Sequence, residues 1–433
     1  MKGKAQRLTS PRVLVNGAAT FAKRRLEGNL SLRSSALAVD ATGGVDLAAN
    51  AWRNLRLRAR LLRPAALFPN MTGRGVELRA VLEGGFATAA FDYRILAPRF
   101  AFDATGFEGV RIAGKGRFSK APIVLPARFT AQRVTGVGDV AGGILRNLSV
   151  DGVLRVTSTM VTGDDLRLRS DKLSGRISLL LDLRTGDYQV GLNGALGRYL
   201  IPGLGVVDVQ SRLRVVPGPG GRGTRVVGSG TAQMVRLDNG FFRSLAGGLP
   251  RIATDLERTP DGILHFRNLV LTGPSIGLTG NGYRRRDGTF VFSGVGRQAT
   301  YGPVTLQLDG AIERPTLDLE FQRPNDALGL RDVRLHLDPD PRGFVFTAAG
   351  RSRLGAFEGV GEILLPRGAD AQIAVRSLAV SGTRAAGLIT ITDDGFDGRL
   401  AVDGGGIDGA VVLSPAGTAQ RIEAQLRLRG ARL

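Results

Sequence analysis

Apolar residues recur at every second position along most of this chain. In Asn54-Leu-Arg-Leu-Arg-Ala-Arg-Leu61, Leu55, Leu57, Ala59 and Leu61 fall on one side of an extended backbone and Arg56, Arg58 and Arg60 on the other. The same period of two runs through Val304–Leu308, Leu317–Phe321, Val333–Leu337 and Ile422–Leu428. Few windows offer the i, i+3, i+4 spacing of a helix, so the pattern predicts an all-β protein. Its expected form is an elongated, twisted, mostly antiparallel repeating sheet.

Turn signals separate the runs. Asp-Gly begins at Asp151, Asp261, Asp287, Asp309, Asp394, Asp397, Asp403 and Asp408, and Asn-Gly at Asn16, Asn193, Asn239 and Asn281. Both pairs suit tight hairpins because each residue tolerates positive φ, and some are expected to end a strand as a bulge instead. One stretch departs from the period. Residues 238–249 start with N-cap types and end in Gly-Gly, with Phe241, Phe242, Leu245 and Leu249 on one helical face, which predicts a short amphipathic helix packed on the sheet or plugging it. The Pro/Gly run 217–223 reads as a mobile loop between two strands, with a domain boundary as the alternative. Length alone suggests two to four domain-sized units, but the pattern resumes across every interruption, so residues 1–433 are expected to form one continuous repeating segment.

Composition narrows the chemistry. The 59 Lys and Arg outnumber the 38 Asp and Glu by 21, and nearly all of that basicity is arginine. Cysteine is absent and only His265 and His336 are present, which excludes disulfides, thiolate catalysis and Cys- or His-rich metal centres. Both histidines read as ordinary surface residues, with His336 facing outward beside Arg334 and Asp338. The adjacent carboxylates Asp164-Asp165 and Asp393-Asp394 read as turns, since neighbours in a strand face opposite ways. No nucleophile elbow, zinc-protease or Walker motif occurs, so no catalytic residue, metal or cofactor is expected and the chain does not read as an enzyme. Arginines could neutralise phosphates, but aromatics are 6% with one Trp and the arginines run the whole length, which weighs against nucleic acid. Attraction to anionic lipid remains open. No apolar window reaches the length of a membrane helix, and no signal peptide stands out at the start.

Taken together these features resemble the TamB branch of the AsmA-like envelope proteins, the bacterial relatives of bridge-like lipid-transfer proteins. The resemblance rests on Asn239-Gly-Phe-Phe-Arg-Ser-Leu-Ala-Gly-Gly-Leu-Pro250, Thr259-Pro-Asp-Gly-Ile-Leu-His-Phe-Arg-Asn-Leu-Val-Leu-Thr-Gly-Pro274 and Ile276-Gly-Leu-Thr-Gly-Asn-Gly282. Tyr301-Gly-Pro-Val-Thr-Leu-Gln-Leu-Asp-Gly310, Pro315-Thr-Leu-Asp-Leu319, Leu55–Pro64 and Leu78–Gly84 add to it. It implies an open gutter, or β-groove, with an apolar inner face, conducting phospholipids between inner and outer membranes and serving outer-membrane assembly. It also implies a TamA-like outer-membrane barrel as partner. The implied location is the periplasm of a Gram-negative bacterium, with an inner-membrane anchor in the full-length parent. That anchor and the family's C-terminal domain are not identified in this sequence, so the chain is expected to be part of a longer polypeptide.

The candidate groove lining is Leu55, Leu57, Leu61, Leu264, Phe266, Leu306, Leu308, Leu317, Leu319, Phe321, Val333, Leu335, Leu337, Leu426 and Leu428. Phe241, Phe242 and Leu245 are the candidate cover on the short helix. The alternation itself also fits a secreted or surface β-repeat protein, structural or adhesive, whose apolar face is a filled core. The two readings differ in whether lipid occupies that face.

Overall fold

The computed structural model of the chain describes residues 3–119, 122–136, 144–201, 204–219, 224–324, 329–366, 368–392, 394–417 and 419–430. The expectation of an all-β repeating sheet holds. Among the described residues twenty-nine strands, from Leu14–Ala22 to Ala419–Leu428, form one open antiparallel sheet. Among the described residues the first strand pairs with Arg25–Arg33 and the last with Ile407–Ala416. Among the described residues no helix is long and apolar enough to cross a membrane.

Most strands are joined to the next by tight turns. Some turns use residues the Asp-Gly pattern does not flag: Lys23-Arg24, Ser381-Gly382 and Gly405-Gly406 each place two successive residues at positive φ between directly paired strand ends. Asp261-Gly262 and Asp287-Gly288 lie in connections as the pairs predict. Asp151, Asp397, Asp408, Asn16, Asn193 and Asn281 instead stand inside strands. The physical reason is the alternation itself, which sends the polar residue to the wet face and its glycine to the apolar one. Asn239-Gly240 opens a helix. Asp164-Asp165 is also no turn: it sits within the strand Met160–Arg169, at a bulge where Asp165 has φ 57°.

Bulges of that kind recur. Asn54, Asn268 and Asp332 have left-handed φ where the register slips against a neighbouring strand. Asn and Asp tolerate this backbone, and each bulge deepens the local bend. The N–H that the slip frees is caught across the ladder: Asn54 N donates to Glu83 Oε2 at 2.5 Å and Asn268 N to Asn281 Oδ1 at 3.0 Å.

Contacts divide the chain into two units, Met1–Gly197 with Gln210–Gly228 and Glu257–Gly262, and Arg198–Val209 with Ser229–Leu256 and Ile263–Leu433. In the first unit the sheet curls. The strands Ala90–Phe102 and Tyr188–Ile201 are six ladder steps apart, about 29 Å in a flat sheet, yet the Phe102 and Tyr188 rings lie 6.3 Å apart. Tyr188 also hydrogen-bonds Thr224 at 3.0 Å. A short helix, α1 (Lys4–Thr9), lies beside this end, with Arg7 Nε donating to the Ala66 carbonyl at 3.1 Å and Lys4 Nζ 3.6 Å from the centroid of the Phe68 ring. A hydrophobic core of Ala97, Val110, Ala131, Val134, Leu148, Leu168 and Leu173 fills the curl.

Candidate functional site

Register decides which side chains share a face, because residues directly opposite in a ladder point the same way. In the second unit the strand Leu264–Thr272 sets Leu264 and Phe266 opposite Arg284 and Gly282. Gly282 faces Phe292, and Phe292 faces Leu308. Leu306 and Leu308 then oppose Leu319 and Leu317, which oppose Leu335 and Leu337, while Phe321 opposes Val333. The same face continues through Phe346, Gly361, Val375, Gly387, Leu400 and Val411, and reaches Ala424 on the last strand, flanked by Leu426. Leu428 lies opposite Ile407 on that face. All the candidate lining residues of this unit therefore lie on one apolar surface. In the first unit Leu55, Leu57 and Leu61 oppose Leu82, Ala80 and Val76, and that face runs on through Phe91, Tyr93 and Ile95.

The surface is not uniformly open. Leu317, Leu337 and Phe344 are 1%, 0% and 0% exposed, and Leu306, Leu319 and Phe321 are also buried. From Gln372–Val380 to Ile407–Ala416 the same face is half-buried, and on the last strand Leu426 and Leu428 are 42% and 62% exposed.

The difference is made by the helix α2 (Gly240–Ala246). Asn239 caps it, accepting from Phe242 N at 3.2 Å, and Gly247 ends it at φ 68°. Phe242 packs against the Leu317/Leu337/Phe344 core and equally against Val207, Met234 and Leu237. Leu245 packs against Ile276, Leu278, Leu306 and Leu319. One small helix thus fills the concavity between strands far apart in the sheet. The side chain of Phe241 lies outside the described residues, as do positions 220–223 of the expected loop, whose first residue, Pro217, ends the strand Gly205–Pro217.

Sequence reasoning missed Phe344, Phe346 and Ile363, which form the heart of the covered stretch. Their signal was present in the alternation of Gly-Phe-Val-Phe. It also missed why glycine is so frequent. Phe91 opposes Gly116, Tyr93 opposes Gly114, Phe346 opposes Gly361 and Phe357 opposes Gly350, and in each pair the ring occupies the space of the missing side chain. Phe292 does the same over Gly280 and Gly294. A ring laid along the sheet keeps the apolar face low and continuous.

The opposite face is ionic. Asp46 is buried and accepts from Arg25 at 3.1 Å, Arg53 at 3.2 Å and the N–H groups of Ala48 and Ala49 at 3.1 and 3.0 Å. Its carboxyl is held below the usual aspartate range, chiefly by the Ala49 N–H and then by Arg25. Glu362, buried, pairs with Arg342 at 2.8 Å and with Arg376. His336 is gripped by Asp318 at 2.6 Å and Asp338 at 3.2 Å, and its pKa is raised, first by the Asp318 hydrogen bond.

A shallow cavity of about 480 Å³ lies among Val81, Glu83, Ala90, Phe91, Asp92, Lys115, Gly116 and Arg117. The Glu83 carboxylate is already engaged by Asn54. Among the described residues no group of three or more His, Asp or Glu is placed to hold a metal ion. The arrangement offers a long apolar surface with fixed register, partly covered and partly accessible, and a charged reverse side. Comparison with known protein-family models, with curated proteins and with solved structures finds no match to this chain.

Proposed function

We propose that this chain is a lipid conduit: its apolar face carries phospholipid acyl chains between membranes of a bacterial envelope, passively and without covalent chemistry. The observation that carries this reading is the continuous line of ladder partners that runs, past several bulges, along one apolar face from Leu264 to Leu428, much of it accessible. Burial of methylene groups is worth about 0.8 kcal/mol each, so a chain of about fourteen gains on the order of 10 kcal/mol on leaving water. Translation along such a face exchanges one apolar contact for another, which keeps the barrier to movement low. A headgroup stays in solvent at the open side. Apolarity at every second position is the only demand on the sequence, which accounts for repetition of pattern without repetition of letters.

The second reading, a β-repeat protein with a filled core and a structural or adhesive role, is favoured by one stretch. Around Leu317, Leu337 and Phe344 the face is already closed by the protein's own helix.

Native mass spectrometry of protein purified without detergent, followed by lipid extraction, separates the two. The conduit reading expects co-purifying phospholipids that are lost in Leu400→Asp and Val411→Asp variants, which change the half-buried stretch and leave the core under α2 intact. A lipid-free, folded and monodisperse wild type overturns it in favour of the filled core.

A further inference from the structure

The polar face of the first unit carries a row of arginines that the apolar-face reading leaves without a role. Direct ladder partners run Asp40, Arg58, Arg79, Arg94, Ala113, Arg128, Asp151, Arg167, Arg176. With neighbouring strands about 4.8 Å apart, the stretch from Arg58 to Arg176 covers on the order of 34 Å of contour around the outside of the curled sheet. All six arginines are exposed. The next ladder on the same face adds Arg33, Arg60, Arg111 and Arg169 against the single carboxylate of Glu77.

Like charges directly opposite one another in a ladder repel. Arg58, Arg79 and Arg94 nonetheless stand in one line, with Glu77 bridging only the first two, at 2.8 and 2.5 Å. Among the described residues Arg94 and Arg167 have no carboxylate partner. Arg128 pairs with Asp151 at 3.1 Å and Arg176 with Asp165 at 2.8 Å, yet the remaining excess of arginine has no counterpart in the second unit. There the corresponding ladder, Glu320, Arg334, Glu358, Arg384, Asp403, Asp408 and Arg427, mixes three arginines with four carboxylates.

The geometry points to a docking surface for an anionic phospholipid bilayer on the polar face of the first unit. Charge complementarity supplies the attraction, and the neighbours of the arginines decide the partner. Val81 and Val153, on the same face, are 39% and 44% exposed, Ala113 stands between Arg94 and Arg128, and Leu96 between Glu77 and Arg111. Aliphatic side chains among guanidinium groups suit insertion at headgroup level. They give a nucleic acid neither a stacking platform nor a base-edge partner. The surface lies on the reverse of the first unit's own apolar face, which carries Leu55, Leu57 and Leu61, so it acts whether or not lipid occupies an apolar face.

The test is flotation of the full chain with vesicles of 70:30 phosphatidylcholine and phosphatidylglycerol, against vesicles of phosphatidylcholine alone, at rising salt. Docking is expected on the anionic vesicles only, weakening as salt screens it. In Arg94→Gln/Arg128→Gln/Arg167→Gln the partition coefficient is expected to fall on the order of 100-fold, three surface charges being lost. The matched variant Arg334→Gln/Arg384→Gln/Arg427→Gln is expected to bind as wild type, and circular dichroism confirms that both variants fold. Equal binding to the two vesicle types, or retention of binding by the first variant, overturns the proposal. Tighter binding to a 30-base-pair duplex than to the anionic vesicles at 0.15 M salt overturns it in favour of nucleic acid.

Discussion

The ring of Phe346 lies over the backbone of Gly361, its direct partner on the next strand, so closely that a methyl group on Gly361 would stand 2.6 Å from a ring carbon. Two residues earlier on the same face, Gly359 has room: its nearest neighbour would be a Leu378 methyl at 3.4 Å. Gly361→Ala is therefore expected to destabilise the second unit by about 1–3 kcal/mol through overpacking, since the added methyl group would press on that ring and, closer still, on the backbone carbonyl oxygen of Ala374. Gly359→Ala should change stability by less than about 1 kcal/mol, since it also stiffens the unfolded chain. Urea unfolding of the pair checks this, and equal losses would remove crowding at Gly361 as the cause.

The helix α2 owes its position to Phe242 and its start to Asn239. Phe242→Ala is expected to cost about 2–3 kcal/mol, as a half-buried ring is lost from two cores at once. Asn239→Ala should cost about 1 kcal/mol through the lost cap. If the helix covers the apolar face as described, both variants bind more of an environment-sensitive apolar dye than wild type. Unchanged dye binding in Phe242→Ala would show that the strands close the concavity unaided.

Asp46 couples stability to acid. Its folded pKa lies below that of the unfolded chain, so its contribution is fully present above the ordinary aspartate value of about 3.9 and disappears as pH falls through the depressed folded value. Asp46→Asn keeps an acceptor for the Ala48 and Ala49 N–H groups but loses the charge between Arg25 and Arg53. The variant should be less stable than wild type at pH 7, and the gap should close as pH falls toward 2. Thermal melts across that range measure it.

His336 works in the opposite sense. Its folded pKa is raised, so the stabilisation from its two aspartates is complete below the unfolded histidine value of about 6.5 and is lost as pH rises through the higher folded value. Asp318→Asn is expected to bring the His336 titration back toward the ordinary value, observed directly in the imidazole proton resonances. A titration unmoved by that change would assign the shift elsewhere.

Much of this architecture was legible because a strand has a period of two. Once Leu317, Leu319 and Phe321 alternate with charged residues, the face they share follows, and the ladders carry that face from strand to strand. Three features were not legible. The seat of α2 joins Phe242 to strands remote in the sheet, and alternation says nothing about curvature. The Asp-Gly and Asn-Gly pairs are ambiguous in principle: Asn281-Gly282 inside a strand and Asp287-Gly288 in a connection differ only in what lies opposite them. The arginine row is visible only in register, since Arg58, Arg94 and Arg167 are scattered in sequence and become neighbours through intervening strands.

Apart from the short strand Met71–Arg74, which joins Ala90–Phe102, and the pairing of Ala51–Leu61 with Val76–Gly85 across it, each described pairing links strands consecutive in sequence. Such a ladder has the energetics of a one-dimensional chain, in which each strand interacts mainly with the two beside it. Removing one hairpin costs two neighbour terms and rejoins two strands running in the right directions with their apolar faces still aligned. The length of the sheet can then vary in steps of two strands without redesign of the rest, and evolution can tune the span of such a protein much as it tunes the number of repeats in a solenoid.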